Sequence, residues 1–264
     1  MPVPPTTPDP APGIVARLRS AGCVFAEEEA RVLTGAAATP DELEGMVQRR
    51  VQGEPLEVIV GWADFCGLRV AVEPGVFVPR QRSEFLVVTA ADLAHAGSVV
   101  VDMCCGTGAL GVALAAAVGR VELYAADIAA EAVRCARRNV AAVGGQVFHG
   151  DLYEALPAGL HGRVDLLLAN APYVPTWEIG LMPPEARLHE PHIALDGGPD
   201  GVDVHRRVAE GARDWLAPGG HLLIETSERQ AAQTVGAAEV QGLLTSVVCS
   251  EEFSCTVVVA TVPC

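Results

Sequence analysis

Apolar residues come in two kinds of run along this chain. Between residues 14 and 53 they recur at helical spacing: Ile14, Leu18 and Ala21 mark one face, and Glu27 to Leu33 opens a second helix. A third helix has clear start chemistry, with Thr39 as N-cap, Pro40 at the first helical position, and Asp41 and Glu42 facing the positive end of the dipole. From residue 98 onward the runs are short, continuous and β-branched, and they alternate with helical stretches. Strands are expected over 99–103, over 121–126 ending in Asp127, over 147–148 ending near Asp151, and over 164–169. Helices are expected over 109–118, 129–142, 202–216 and 228–240. A strand over 221–225 follows the turn Pro218-Gly219-Gly220, and strands over 243–249 and 255–262 close the chain. Continuous rather than alternating strands are those covered on both faces, so this order predicts an α/β fold with a mostly parallel sheet between helices. The last two strands are close enough for an antiparallel hairpin. The expected domains are a disordered Pro-rich tail over 1–13, a helical unit over 14–53, a linker over 54–82 and an α/β domain over 83–264. In the linker, Phe65 to Val72 alternates as a hairpin does, Pro74-Gly75 turns, and Val76 to Arg80 leads into a helix capped by Ser83.

The run Val164 to Ala169 stops abruptly at Asn170. Pro172 has no N–H for a further ladder bond and biases Ala171 toward an extended conformation. Asn170 therefore falls at the carboxyl end of a parallel strand, where open α/β sheets place their ligands; an Asx turn closing the strand is the plainer alternative. A second constellation, Asp102-Met-Cys-Cys-Gly106-Thr-Gly108-Ala-Leu-Gly111, follows the first strand and opens a helix, with glycines that let the backbone approach a ligand and free N–H groups at the helix start. Asp127, 25 residues beyond Asp102, can accept from both hydroxyls of a ribose. Gly106-x-Gly108-x-x-Gly111 alone is the dinucleotide fingerprint. Asp102 beside the turn disfavours a pyrophosphate there and suits a zwitterionic tail carrying a sulfonium. Asp151 is placed to reach an adenine amino group or is a solvated loop carboxylate. The Pro-dense segment 174–201 reads as a lid or substrate wall, and His189 and His192 carry no ligand spacing.

Composition narrows the partners. The formal charge is −15 over 264 residues, and all 18 basic residues are Arg, in no cluster larger than a pair. Such a surface repels nucleic acid at long range, so direct nucleic-acid binding is not expected. The eight cysteines show no C-x-x-C pair and no His at metal spacing, as expected of reduced thiols in a cytoplasmic protein without a metal site. The window Ser98 to Gly119 is apolar enough to mimic a membrane span, but Asp102 and its glycines argue for strand, turn and helix, and no membrane partner is expected.

With these motifs in hand, the chain resembles the HemK/PrmC family, the S-adenosylmethionine-dependent methyltransferases that modify glutamine side-chain amides in peptide-chain release factors. The resemblance runs from about residue 14 to the end. It is carried by Gly53-Glu-Pro-Leu, Phe65-x-Gly-Leu-Arg-Val, Val78-Pro-Arg80-x-x-Ser-Glu84, the Asp102 glycine loop, Asn170-x-Pro-Tyr173, and Glu190-Pro with the run Ala-Leu-Asp-Gly-Gly-Pro-Asp-Gly-Val that follows. It implies a class I, Rossmann-like methyltransferase domain with a seven-stranded sheet behind a small N-terminal helical domain. It implies a cofactor site of Asp102, Cys104, Cys105, Gly106, Thr107, Gly108, Asp127, Ile128, Asp151, Leu152 and Asn170. The catalytic residues it implies are Asn170, Ala171, Pro172 and Tyr173, and those touching the substrate are Arg80, Glu84, Pro172, Tyr173 and Glu190. The chain departs from the pattern at Ala171, where the family has Pro, at Cys104 and Cys105, at Gln81, and in the shorter helical unit.

Chemistry gives Asn170 and residue 171 distinct parts. An amide nitrogen is a poor nucleophile, and two acceptors on its N–H groups orient it and raise its electron density. The Asn170 oxygen supplies one acceptor and the backbone carbonyl of residue 171 the other, which Ala171 preserves. The expected reaction is methyl transfer from S-adenosylmethionine to the N5 of a protein glutamine, with a release factor as partner. The alternatives are N-methylation of another peptide or small molecule, N6-methylation of a nucleic-acid adenine, and a non-enzymatic cofactor-binding subunit.

Overall fold

A computed structural model describes residues 12–263 of the chain. Of the expected tail, residues 1–11 lie outside the described residues, while Pro12 and Gly13 already belong to the first helix. Helices α1 (Pro12–Ser20), α2 (Ala26–Ala36) and α3 (Pro40–Val51) pack around Leu18, Ala30, Leu33 and Val47. Thr39 Oγ1 accepts the N–H of Glu42 at 3.2 Å, so the α3 cap is the one its sequence specifies. A further helix, α4 (Leu56–Val60), lies in the stretch read as linker and closes this small core with Ile59. Five residues are too few to show a helical period. The hairpin β1 (Trp62–Phe65) and β2 (Leu68–Ala71) turns at Cys66-Gly67, so its first strand starts earlier than the alternation suggested.

The rest is one sheet with helices on both sides. In chain order it runs α5 (Glu84–Leu93), β3 (Val99–Met103), α6 (Ala109–Val118), β4 (Glu122–Asp127), α7 (Ala130–Val140), β5 (Gln146–His149), β6 (Val164–Ala169), α8 (Pro184–His189), α9 (Asp203–Trp215), β7 (Leu216–Thr226), α10 (Ala231–Glu239), β8 (Leu244–Ser250) and β9 (Cys255–Thr261). The seven strands are ordered β5-β4-β3-β6-β7-β9-β8, and β9 alone runs opposite to the other six. Leu166 and Leu168 face the core beneath α5 and α6, while Leu167 and Ala169 face the one beneath α9. Both faces of β6 are thus covered, which is why its sequence runs apolar without alternation. The Pro218-Gly219-Gly220 turn is a bulge inside a longer β7: Val164 pairs with Leu216, but Leu166 pairs with His221.

This topology fixes where a ligand can sit. From β3 the chain winds outward through β4 to β5, then returns to lay β6 on the other side of β3. The carboxyl ends of β3 and β6 therefore diverge into helices that leave a crevice between them, the switch point of an open α/β sheet. The glycine loop follows β3 and Asn170 follows β6. The apolar window 98–119 divides into β3, the loop and α6; no helix among the described residues is long and apolar enough to cross a membrane.

Candidate active site

The glycine loop is shaped by backbone that only some residues accept. Gly106 and Gly108 have φ of +55° and +76°, and Cys104, at +56°, takes the same left-handed region without glycine's freedom. A Cβ on Gly106 would meet no heavy atom within 4 Å, because that face opens on a cavity, whereas one on Gly111 would lie 2.7 Å from Leu123 Cδ1. Asp102 is fully buried beneath the loop, and its Oδ2 accepts the Gly111 N–H at 2.9 Å. It is absent from the cavity wall, so it braces the α6 N-terminus rather than lining the ligand space where the resemblance put it. Burial, with Asp127 nearby, pushes its pKa up to about 7, and its Oδ1 has no partner among the described residues. Asp127 does reach the wall: its carboxylate accepts the N–H groups of Gly106 and Ala129, both at 2.9 Å. Burial raises its pKa while those donors oppose the rise. Asn139 of α7 locks the loop to the hairpin, donating from Nδ2 to the Thr107 carbonyl at 2.8 Å and accepting the Ala71 N–H at 2.9 Å.

An open cavity occupies the switch point. Cys104, Cys105, Gly106, Thr107, Asp127 and Ile128 form one side; Arg80, Arg82, Ser83, Glu190 and the turn Asn170 to Tyr173 form the other. A second lobe shares Cys104, Asp127, Ile128 and Pro172 and adds Asp151, Leu152, His192 and Arg207. Arg207 donates to Asp151 Oδ2 at 2.8 Å, so half of that carboxylate is already engaged. Gly108 and Glu84 stand outside both walls. Glu84 accepts the Cys66 N–H at 2.8 Å and pins the hairpin turn, a local role where substrate contact was expected. Among the described residues no group of three His, Cys, Asp or Glu could hold a metal.

The turn after β6 is held from several directions. Asn170 Nδ2 donates to Ser83 Oγ at 3.0 Å. Ser83, expected as a helix cap, makes no cap bond; its buried hydroxyl takes the Asn170 amide instead and leaves Oδ1 without a partner among the described residues. Tyr173 OH accepts from Arg82 Nη2 at 2.7 Å and donates to Glu225 Oε1 at 3.1 Å, so the expected wall residue is also a tether to the end of β7. Burial, followed by the Glu225 charge, raises the Tyr173 pKa and keeps the phenol protonated. Gln230 Nε2 donates to the Tyr173 carbonyl at 2.8 Å and to that of Asp200 at 3.1 Å. The glycine-rich run over 196–201 is this turn's scaffold. Val174 N–H donates to Leu195 and Gly197 N–H to Val174, each at 2.9 Å, and a Cβ on Gly201 would lie 2.5 Å from the Tyr173 carbonyl. The segment 174–201 is thus a wall built of short helices, supplying Met182, Glu190 and Leu195 to the cavity. Arg80 pairs with the buried Glu190 there, and Glu190 Oε2 is left without a partner among the described residues. Arg82, Asn139, Gln230 and Glu225 carry no signal at the level of sequence, and Ser83 reads there as a helix cap, since each acts through a partner far along the chain.

The cavity fits S-adenosylmethionine, the cofactor implied by the resemblance. The missing side chain of Gly106 leaves room against the loop, the Asp127 carboxylate stands ready-fixed for a diol, and Ile128 and Leu152 offer apolar faces to a base. The family model of the methyltransferase small domain matches residues 67–180. A release factor glutamine methyltransferase of Geobacter sulfurreducens is 38% identical over 202 residues, spanning 75% of this chain and 70% of the relative. A 4-amino-L-phenylalanine/4-methylamino-L-phenylalanine methyltransferase of Streptomyces pristinaespiralis is 37% identical over 206 residues, spanning 75% of this chain and 69% of the relative. A methyltransferase from Pyrococcus furiosus, 16% identical, superposes with a TM-score of 0.58 over 75% of this chain and 90% of its own, a likeness of fold.

Proposed function

The chain belongs to the release factor glutamine methyltransferase family, and from that premise we propose that it methylates the side-chain amide nitrogen of a glutamine in a peptide-chain release factor. The cofactor is S-adenosyl-L-methionine, which when bound supplies an electrophilic methyl group. The residues that would hold it are Gly106, Thr107, Asp127, Ile128 and Leu152 on the cavity walls, with Asp151 at the far lobe. The observation that carries the substrate reading is the Oδ1 of Asn170, which has no partner among the described residues. Ser83 takes the amide nitrogen, so the oxygen is left as an acceptor at the cavity, beside the backbone carbonyl of Ala171. Those two acceptors match the two N–H groups of a carboxamide. They orient its nitrogen for attack and raise its electron density, while Pro172 and Tyr173 flank the flat group. Positioning of this kind supplies about 7 to 11 kcal/mol when the geometry is good. No general base is needed first, because the amide nitrogen, once alkylated, is acidic and sheds a proton to water. With a release factor as the proposed partner, the proposed compartment is the cytoplasm.

A second reading has a specific observation behind it. A relative of similar identity bears the name of an enzyme acting on a free amino acid with an aromatic amine, and the two acceptors suit that amine equally well. One experiment separates them. The protein is incubated with the cofactor and, in parallel, with a bacterial release factor and with 4-amino-L-phenylalanine, and products are mapped by mass spectrometry. A methyl group on one release-factor glutamine, lost in Asn170→Ala while S-adenosylhomocysteine still binds, is the expected result. Turnover of the amino acid alone overturns the protein substrate, and an active Asn170→Ala overturns the mechanism.

A further inference from the structure

Beside the Asn170–Tyr173 turn stands a buried carboxylate that neither reading uses. β6 and β7 run parallel with Ala169 opposite Ile224, so one step further on Glu225 stands next to Asn170. Leu223, two positions before it, faces the core beneath α5 and α6. The alternation of a strand turns Glu225 to the same side, toward Arg82 and Ser83, which lead into α5. Glu225 is 1% exposed. Its Oε1 accepts from Tyr173 OH at 3.1 Å and from Arg82 Nε at 3.4 Å, while Oε2 has no partner among the described residues. A carboxylate taken out of water and left partly unpaired is less stable than an apolar side chain of the same size, so filling space does not account for it.

What the carboxylate achieves is visible at Tyr173. The phenol donates its one proton to Glu225 and accepts from Arg82 Nη2 at 2.7 Å, so the hydroxyl is engaged as donor and as acceptor. The guanidinium carbon lies 5.9 Å from the ring centroid. At the other end of the residue, Gln230 Nε2 holds the Tyr173 carbonyl at 2.8 Å. Backbone and hydroxyl are both fixed, and the ring between them is held on the cavity wall. Adjacent residues serve the two ends of the turn: Ser83 takes the Asn170 amide and Arg82 the Tyr173 hydroxyl.

We propose that Glu225 is a positioning residue of the methyl-transfer site, which with Arg82 fixes the Tyr173 phenol and so sets the ring that flanks the substrate nitrogen. The proposal rests on the flanking role given to Tyr173 above. Glu225 stands outside both cavity walls, so it acts through the phenol and not on the substrate.

The first test does not depend on the substrate. The chain has three tyrosines, Tyr124, Tyr153 and Tyr173, so spectra of protein labelled with ¹³C at tyrosine Cζ carry three signals, and that of Tyr173 is assigned by its loss in Tyr173→Phe. Glu225→Gln keeps the shape of the side chain but replaces a charged acceptor by a neutral one, and is expected to move the Tyr173 signal more than the other two. An unmoved Tyr173 signal overturns the proposal whichever acceptor the enzyme methylates. The second test is a double-mutant cycle in turnover. Tyr173→Phe and Glu225→Leu are each expected to lower kcat about tenfold with S-adenosylhomocysteine affinity unchanged, since a small misplacement beside a reacting group costs on that order. The two changes together are expected to lose no more than either alone, because both remove the same hydrogen bond. Losses that multiply, as a carboxylate that only supports the fold would give, or no loss in Glu225→Leu, overturn the positioning role. A protein that methylates only 4-amino-L-phenylalanine would overturn the glutamine reading and leave the cycle to be run with that acceptor. If Glu225→Leu does not fold, Glu225→Gln takes its place in the cycle, with a smaller loss that is expected to vanish in the Tyr173→Phe background.

Discussion

Ser83 acts on the chemistry through another side chain. Its hydroxyl, 2% exposed, accepts from the Asn170 amide at 3.0 Å, which sets the nitrogen toward Ser83 and the oxygen toward the cavity. Ser83→Ala should free the amide to rotate and lower kcat about tenfold, with S-adenosylhomocysteine affinity unchanged by calorimetry. An unaltered kcat would show that Asn170 holds its orientation unaided. Asp102 yields a pH prediction. Its pKa is raised to about 7 in the fold, against about 4 for an exposed aspartate, so the folded state holds an extra proton between those values. Stability from this residue is full below about pH 4 and falls as pH rises through 7. Asp102→Asn keeps an oxygen for the Gly111 N–H and removes the titration. Urea unfolding at about pH 5 and about pH 8 should show wild type losing on the order of a few kcal/mol relative to the variant. Asn170 and Asp127 were legible in the sequence because each ends an apolar run. Ser83 was not, because its partner lies 87 positions away and its local context also suits a helix cap.

At the scale of elements, what could be read from sequence was what is settled locally. Strand, glycine turn and helix around Asp102 are adjacent in the chain, and the apolar run of β6 declares its two covered faces. The bulge in β7 was hidden because Pro218-Gly219-Gly220 has the composition of a turn. Only pairing with β6 shows that the strand continues past it, with Val164 opposite Leu216. Helix α4 was hidden by its five-residue length. Gly111 shows how closely the elements of the loop are set. A Cβ there would meet Leu123 Cδ1 at 2.7 Å and Asp102 at 3.2 Å, so Leu123 must swing aside and Asp102 give way, or α6 lift from the sheet, to admit it. Gly111→Ala is expected to cost about 1 to 3 kcal/mol by denaturant unfolding. It should also raise the cofactor KM, because the loop moves with α6. A stable variant with unchanged cofactor KM would mean that the helix is not held where the contact implies.

Across the whole molecule, the helical unit and the catalytic cavity meet at one buried cation. Arg50 of α3 donates to Glu29 of α2 at 2.6 and 3.1 Å and reaches Glu185 of α8 at 3.3 Å. Five residues further on, Glu190 holds Arg80 on the cavity wall. The small unit is thus anchored to the segment that walls the substrate side, while the cofactor side is built by β3, β4 and their loops. Charge pairing outweighs burial at Arg50 and raises its pKa, so the cation persists at any working pH. Removing it leaves the buried Glu29 carboxylate unpaired, a loss of about 3 to 5 kcal/mol. The double change Arg50→Met with Glu29→Leu removes both charges and should fold with stability near wild type. In that double variant the tie to α8 is gone, but β3, β4 and the glycine loop are untouched. The KM for a release-factor substrate should therefore rise severalfold, with cofactor affinity and turnover of 4-amino-L-phenylalanine, if there is any, unchanged. A rise in the cofactor KM instead would mean that α8 supports the cofactor side, and an unchanged protein KM would mean that the helical unit does not help to place the substrate.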